Sequence, residues 1–249
     1  MAVKKARSIT GFVISQLSIA IAAQRGAVEM KKIEIDRVLK EKIPGYCLAA
    51  LSFELEVTKT KDKLRQAMQE LADEVMQTLT LEQLLKEPRI AAARSDYRAL
   101  GKDPSRYRLA TESLLRRLIK GNGLYEVNCA VDIGNMLSVR TQRSVAVLDE
   151  AQIQGDIKVR IGCDEPFEGI GRGQINIENI PVYCDDIGPF GSSTSDTPRT
   201  CIQLSTKKIL VFIISFDGLD GLEADLMLAQ SLFKEYGGVS DFVAKVIAS

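Results

Sequence analysis

The run Ile209–Phe216, ILVFIISF, is apolar at every position except Ser215. Eight residues rich in Ile, Val and Phe are too few to cross a bilayer, and they read as a central strand buried on both faces. A strand with no wet face places its sheet inside the protein, so other elements must cover it. From Gly45 onward, Ala49, Leu51, Phe53, Leu55 and Val57 alternate with the polar Ser52, Glu54 and Glu56, which predicts a second strand with one wet face. From Lys61 the period lengthens: Leu64, Met68, Leu71, Val75 and Leu79 predict an amphipathic helix, with Thr60 as its cap and Asp62 in its first turn. Thr80 and Gln83 form a capping box for a short second helix ended by Pro88.

The stretch 96–108, DYRALGKDPSRYR, reads as a loop, with Gly101, Asp103 and Pro104 as turn formers. Thr111–Lys120 follows as a helix with Leu114, Leu115, Leu118 and Ile119 inward, and Gly121 or Gly123 ends it. A further helix is expected from Asn128 to Val139. Short strands are expected at Ser144–Leu148, at Ile157/Val159/Ile161, at Ile175–Ile177, at Val182–Cys184 and at Cys201–Leu204. Asp220–Tyr236 returns to helical period before Gly237-Gly238, and residues 219–248 are expected to be helical. Helices at both ends with strands between them imply an α+β fold rather than a doubly wound one. Residues 30–249 read as one domain. Residues 1–28 carry Lys4, Lys5, Arg7 and Arg25 but no acid, and Met30-Lys31-Lys32 resembles a natural start, so 1–29 reads as an extension outside the folded unit.

Charge is balanced overall, 33 Lys and Arg against 33 Asp and Glu, so bulk charge gives no argument for nucleic acid. Its distribution does: residues 94–120 carry eight cations and three acids, whereas residues 121–200 carry six cations and twelve acids. A basic face beside an acidic one is an electrostatic footprint for a polyanion. The five cysteines include no C-x-x-C pair and the chain has no His. These facts argue against a zinc site and for buried free thiols in a reducing, cytoplasmic setting, with no metal or cofactor required. The missing His also removes the usual general base near neutral pH and any Ser-His or Cys-His nucleophile.

Four constellations remain. Gly169-Ile170-Gly171-Arg172-Gly173 lacks a strand-to-helix context and reads as a turn rather than a phosphate loop. Asp185-Asp186 reads as solvated turn acids rather than metal ligands. Gly188–Thr200, GPFGSSTSDTPRT, is either a plain polar loop or a site lip whose hydroxyls orient a polar ligand, with Asp196 taking an amino group or water. Asn128, Asp132 and Asn135 share one helix face, either as a cap with a buried network or as site residues.

These pieces, in this order, resemble the B3/B4 domain of the bacterial phenylalanyl-tRNA synthetase β subunit in a free-standing form. The resemblance covers Pro44 to Ser215. It rests on YRALGKDPSRYR at 97–108, on ESLLRRLIKG after it, on NCAVDIGN at 128–135, on Val147-Leu148-Asp149, on IKVRIG and on DTPRT before the apolar strand. It implies a single α+β domain with mixed, sandwich-like sheets flanked by helices, and a partner that is tRNA or aminoacyl-tRNA. In the synthetase this domain hydrolyses mischarged tRNA, so the resemblance implies editing in trans. The family's pocket draws on a VDxxN segment, matched by Asp132 and Asn135, on a His, whose place Ala146 takes, and on an acid, matched by Asp196.

The resulting assignment makes Asn135 and Asp196 catalytic. Asp132, Ser193, Thr194, Ser195 and Arg199 bind substrate, and Arg98, Lys102, Arg106, Arg108, Arg116 and Arg117 hold tRNA phosphates. An aminoacyl ester is already activated, so a site that positions water and stabilises an oxyanion suffices without His. The alternative is a non-catalytic module that binds the tRNA acceptor end, a free amino acid or a protein partner.

Overall fold

The computed structural model describes residues 30–248. The expected N-terminal extension lies outside the described residues. In chain order the elements are β1 (Ile33–Ile35), α1 (Arg37–Lys42), β2 (Cys47–Glu54), α2 (Asp62–Thr78), α3 (Leu81–Leu84), α4 (Pro88–Ala99), α5 (Ala110–Ile119) and α6 (Cys129–Thr141). They continue with β3 (Ser144–Asp149), β4 (Ile157–Ile161), β5 (Glu168–Gly169), β6 (Gly173–Gln174), β7 (Pro181–Cys184), β8 (Pro189–Ser192), β9 (Lys208–Ser215), α7 (Leu222–Gly237) and β10 (Val243–Ile247).

β9 is the central strand its sequence demanded. It pairs antiparallel with β2 on one side and β3 on the other, in a sheet of order β10-β2-β9-β3. Ile209, Val211 and Ile213 face a helical layer, while Leu210, Phe212 and Ile214 face a second sheet of order β1-β4-β7-β8. All six are buried, each contributing about 1.5–3 kcal/mol relative to exposure. The second sheet is mixed, β1 running parallel to β4 and the rest antiparallel. The fold is therefore α+β: helices, central sheet and outer sheet in three layers, with one apolar core on each face of the central sheet.

The outer sheet corrects the expectation for β2. Leu48, Ala50 and Ser52 are buried too, because the outer sheet covers the face that the sequence marked as wet. Ser52 meets that burial by donating a short hydrogen bond to Glu150. The amphipathic helix forms as α2, but its N-cap is Lys61; Thr60 instead hydrogen-bonds Asp132. The Thr80/Gln83 capping box is present on α3, and Pro88 opens α4 rather than merely ending α3.

Helix α4 takes up Asp96, Tyr97 and Arg98, so the first part of the expected loop is helical. Ile175–Ile177 and Cys201–Leu204 are not strands, whereas β8 forms inside the stretch read as a polar loop. The C-terminal residues are not all helical: after the left-handed cap at Gly238, Val243–Ile247 form β10 along the free edge of β2. Gly134 explains how α6 lies so close to the sheet, since any side chain there would run into Val147 of β3.

Candidate active site

The Ser/Thr stretch folds as a tight hairpin on the outer sheet. β8 runs out through Phe190 and Gly191, the chain turns at 192–195, and Asp196 and Thr197 return beside it. The Ser192 N–H donates to Ser195 O at 2.9 Å and the Thr197 N–H to Phe190 O at 3.0 Å. Ser192 Oγ holds the turn, accepting from the Thr194 N–H at 3.2 Å and the Ser195 N–H at 3.1 Å. Gly191 is required here. A Cβ would stand 2.6 Å from Asp196 Oδ1 and 2.9 Å from the Tyr183 ring, so only glycine lets the carboxyl and that ring meet over the strand.

Asp196 Oδ1 is buried and has no hydrogen-bond partner among the described residues. Burial pushes the carboxyl up to about 7, offset only slightly by the Ser192 backbone. A chain without His thus holds two carboxyls that burial lifts toward the histidine range, Asp196 and, at about 6, Asp96.

Three tyrosines, Tyr46 just before β2, Tyr97 on α4 and Tyr183 on β7, are fully buried in the layer between the sheets. Tyr97 OH and Thr194 Oγ1 share a hydrogen bond of 3.0 Å. The Tyr46 and Tyr183 hydroxyls lie close enough to influence one another, yet neither makes a hydrogen bond of regular geometry. Burial raises Tyr97 to about 12 and holds the other two well above the ordinary tyrosine value, so all three keep their protons at neutral pH. Ser193 Oγ, near the Tyr97 and Tyr183 hydroxyls, and Thr197 Oγ1 are also buried without a hydrogen bond of regular geometry among the described residues. Unpartnered buried polar atoms are uncommon and costly, so their concentration on one hairpin and the rings behind it makes this the candidate site.

The hairpin is tied to the basic segment. The Ala110 N–H donates to Ser193 O at 2.9 Å, and Ser144 Oγ donates to the same oxygen at 3.0 Å. With Tyr97 bonded to Thr194, the hairpin rests on the end of α4 and the start of α5.

The six expected phosphate contacts divide. Arg98 and Arg106 are exposed and make no ion pair among the described residues. Lys102 is buried, donating to Asn176 Oδ1 and Glu178 O at 2.7 Å each and lying 3.9 Å from the centre of the Tyr107 ring, so it braces the fold. Arg116 binds Glu112 at 2.8 Å, and Arg108 stands 3.6 Å from the same carboxylate. Arg117 donates to Gly123 O at 2.6 Å and stacks on the exposed Tyr125 ring.

The remaining expected residues have other partners. Arg199 forms a two-pronged pair with Asp185, 2.9 Å at each prong, and donates to Gln152 O at 2.7 Å. Asp132 is fully buried, accepting from Thr60 and from the Val127 N–H at 2.9 Å. Asn128 caps α6 through the Val131 N–H. Asn135 is half-buried on α6 and makes no side-chain hydrogen bond among the described residues. α6 packs in the helical core and the hairpin in the inter-sheet core, so Asn135 and Asp196 are carried by elements on opposite faces of the central sheet. Ala146 points into the inter-sheet core, paired with Phe212, whose ring lies 5.1 Å from Tyr183.

Sequence reasoning named the hairpin but missed the tyrosines and Glu112. One signal was present: an acid on the inward side of α5 next to Thr111, whereas the tyrosines come from a loop, a helix and a strand and share no local pattern. Among the described residues no three His, Cys, Asp or Glu side chains gather as a metal site, and no helix is long and apolar enough to cross a membrane.

The profile of the B3/4 domain family matches residues 92–222, just over half of the chain. The chain belongs to the B3/4 domain family. The match takes in the basic helices, α6, the tyrosine-bearing β7 and the whole Asp196 hairpin of this B3/4 domain. No curated protein matches the chain. Among solved structures the B3/4 domain is similar to an N-terminal fragment of the phenylalanyl-tRNA synthetase β subunit from Pyrococcus horikoshii. The identity is 13% and the TM-score 0.44, with 89% of this chain and 52% of the fragment covered. The chain thus spans about half the length of that fragment.

Proposed function

We propose that this B3/4 domain protein binds aminoacyl-tRNA and hydrolyses its aminoacyl ester, with Asp196 as the general base. The carrying observation is the Asp196 carboxyl, unpartnered at Oδ1 and pushed up to about 7 beside buried hydroxyls. Ionised, it takes a proton from water as the oxygen attacks the ester carbonyl carbon. The Ser193 and Tyr183 hydroxyls, neither in a hydrogen bond of regular geometry among the described residues, are donors for the oxyanion that develops. Collapse breaks the bond to the ribose oxygen, which leaves with the proton held by Asp196. A base matched to ambient pH contributes about 10²–10⁴-fold. Arg98 at the end of α4 and Arg106 in the turn before α5, with no competing carboxylate among the described residues, supply phosphate contacts on the segment from which the hairpin hangs. Asn135 takes no part in this reading, since α6 carries it on the other face of the sheet.

A second reading, binding without hydrolysis, is favoured by Ala146 standing where the resemblance implies His. One experiment separates the two: purified protein is incubated with a panel of aminoacyl-tRNAs and release of amino acid is followed alongside tRNA binding at rising salt. Hydrolysis predicts release from at least one member of the panel. Salt-dependent binding with no release from any member leaves the binding module, and salt-insensitive or absent binding removes both.

A further inference from the structure

Helix α5 turns Glu112 inward, and its side chain is completely buried. Oε2 accepts from Arg94 Nη1 at 2.8 Å and Oε1 from Arg116 Nε at 2.8 Å. Arg108 Nε stands 3.6 Å from Oε1, too far for a hydrogen bond. No other carboxylate among the described residues pairs with these three arginines, so one negative charge faces three positive ones. Arg94 is held inside the protein: its other bonds go to Pro104 O and Ser105 Oγ, at 3.3 Å each, and it is almost buried.

Arg108 and Arg116 are not fully used. Arg108 Nε is buried with no partner, and its Nη2 makes only a long bond of 3.4 Å to Ser105 O. Arg116 gives the protein its Nε alone. Their side chains are 41% and 25% exposed, and both lean on one carboxylate oxygen. Arg106, exposed and unpaired, lies two residues from Arg108. Like charges held side by side repel, and the arrangement is relieved by a ligand carrying the missing negative charge. Guanidinium forks suit a tetrahedral oxyanion, which accepts two parallel N–H bonds from each.

The geometry points to a binding site for one phosphate group formed by Arg108 and Arg116, with Arg106 at its rim and Glu112 as the residue that positions the forks. The site goes beyond the deacylase reading, because it stands whether or not Asp196 acts on an ester. A phosphodiester of a polynucleotide and a terminal phosphate monoester offer the same oxygens, so both are tested.

The probes are inorganic phosphate, adenosine monophosphate and a short single-stranded oligoribonucleotide. Binding is followed as the shift in melting temperature against sodium chloride at equal ionic strength, and then by calorimetry. Phosphate is expected to raise the melting temperature in a saturable way that chloride does not match. Arg108→Gln and Arg116→Gln are each expected to weaken binding about tenfold, and the Lys variants to recover only part, since the charge returns without the fork. Preference for the monophosphate assigns a monoester ligand, and preference for the oligonucleotide a phosphodiester. If Arg116→Gln does not fold, Arg108→Gln and Arg106→Gln lie outside the buried Arg94–Glu112 pair and carry the test. Equal response to phosphate and chloride, or Gln variants that bind all three probes like the parent protein, overturns the site.

Discussion

Replacing Asp196 by Asn removes a carboxyl that the fold holds protonated at pH values where the unfolded chain has released the proton. The ordinary carboxyl value is 3.8 and burial lifts it to about 7. The sign follows from proton counting: between those values the folded state binds more protons than the unfolded one, so this group's contribution to stability falls as pH rises and levels off above about 7. Integrated from pH 5 to pH 8, the loss is about 2–3 kcal/mol, an upper estimate because some water reaches the residue. Asp196→Asn lacks this loss. Urea unfolding of parent and variant at pH 5, 6, 7 and 8 measures it, with the variant gaining about 2–3 kcal/mol relative to the parent across the series. Asp96, which burial raises to about 6, gives both proteins a slope of the same sign, so it cancels in the difference. A parent–variant difference that stays flat within about 0.5 kcal/mol refutes the buried, uncompensated carboxyl, and with it the general-base assignment.

Gly134→Ala pushes a methyl group into Val147 where α6 crosses β3, and is expected to cost about 1–3 kcal/mol in the same unfolding assay. Arg143 is buried and joined to Asp225 at 2.8 Å, to Ser215 at 2.6 Å and to Asp217; Arg143→Ala leaves both acids to Arg89 alone, 3.1 Å from Asp225 and 4.0 Å from Asp217, and is expected to cost about 3 kcal/mol, read as a lowered urea midpoint at pH 7.

The layered core was legible because its signal is strong and local. The unbroken apolar β9, the period of α2, the Thr80/Gln83 box and the Asn128 cap each state their structure in a few residues. What escaped depends on tertiary contact. α4 turns only Ile90, Ala93, Arg94 and Tyr97 inward, and one of those four is a charge, so its sequence resembles a polar loop. β8 buries Phe190, Gly191 and Ser192, too few apolar atoms to show a strand's alternation. β2 misled in the opposite direction, because a second sheet covered the face that Ser52 marked as wet.

At the site, Asp196 and its hydroxyls could be named from the sequence, but the pairing of Asp196 with Asn135 could not survive the topology. Helical spacing placed Asp132 and Asn135 on one face without saying which side of the sheet that face served. The excess of cations at 94–120 was equally visible, while its division into bracing and unpaired groups depends on Glu112, one acid hidden among arginines.

The central claim is that Asp196 moves the proton in ester hydrolysis, and single-turnover deacylation of an aminoacyl-tRNA tests it most directly. The parent protein is predicted to hydrolyse at a rate that rises with pH and flattens above about 7, as the carboxyl ionises. Asp196→Asn is predicted to lose about 10²-fold or more while still binding tRNA. A variant that deacylates at the parent's rate, or a parent rate with no inflection near neutral pH, contradicts it.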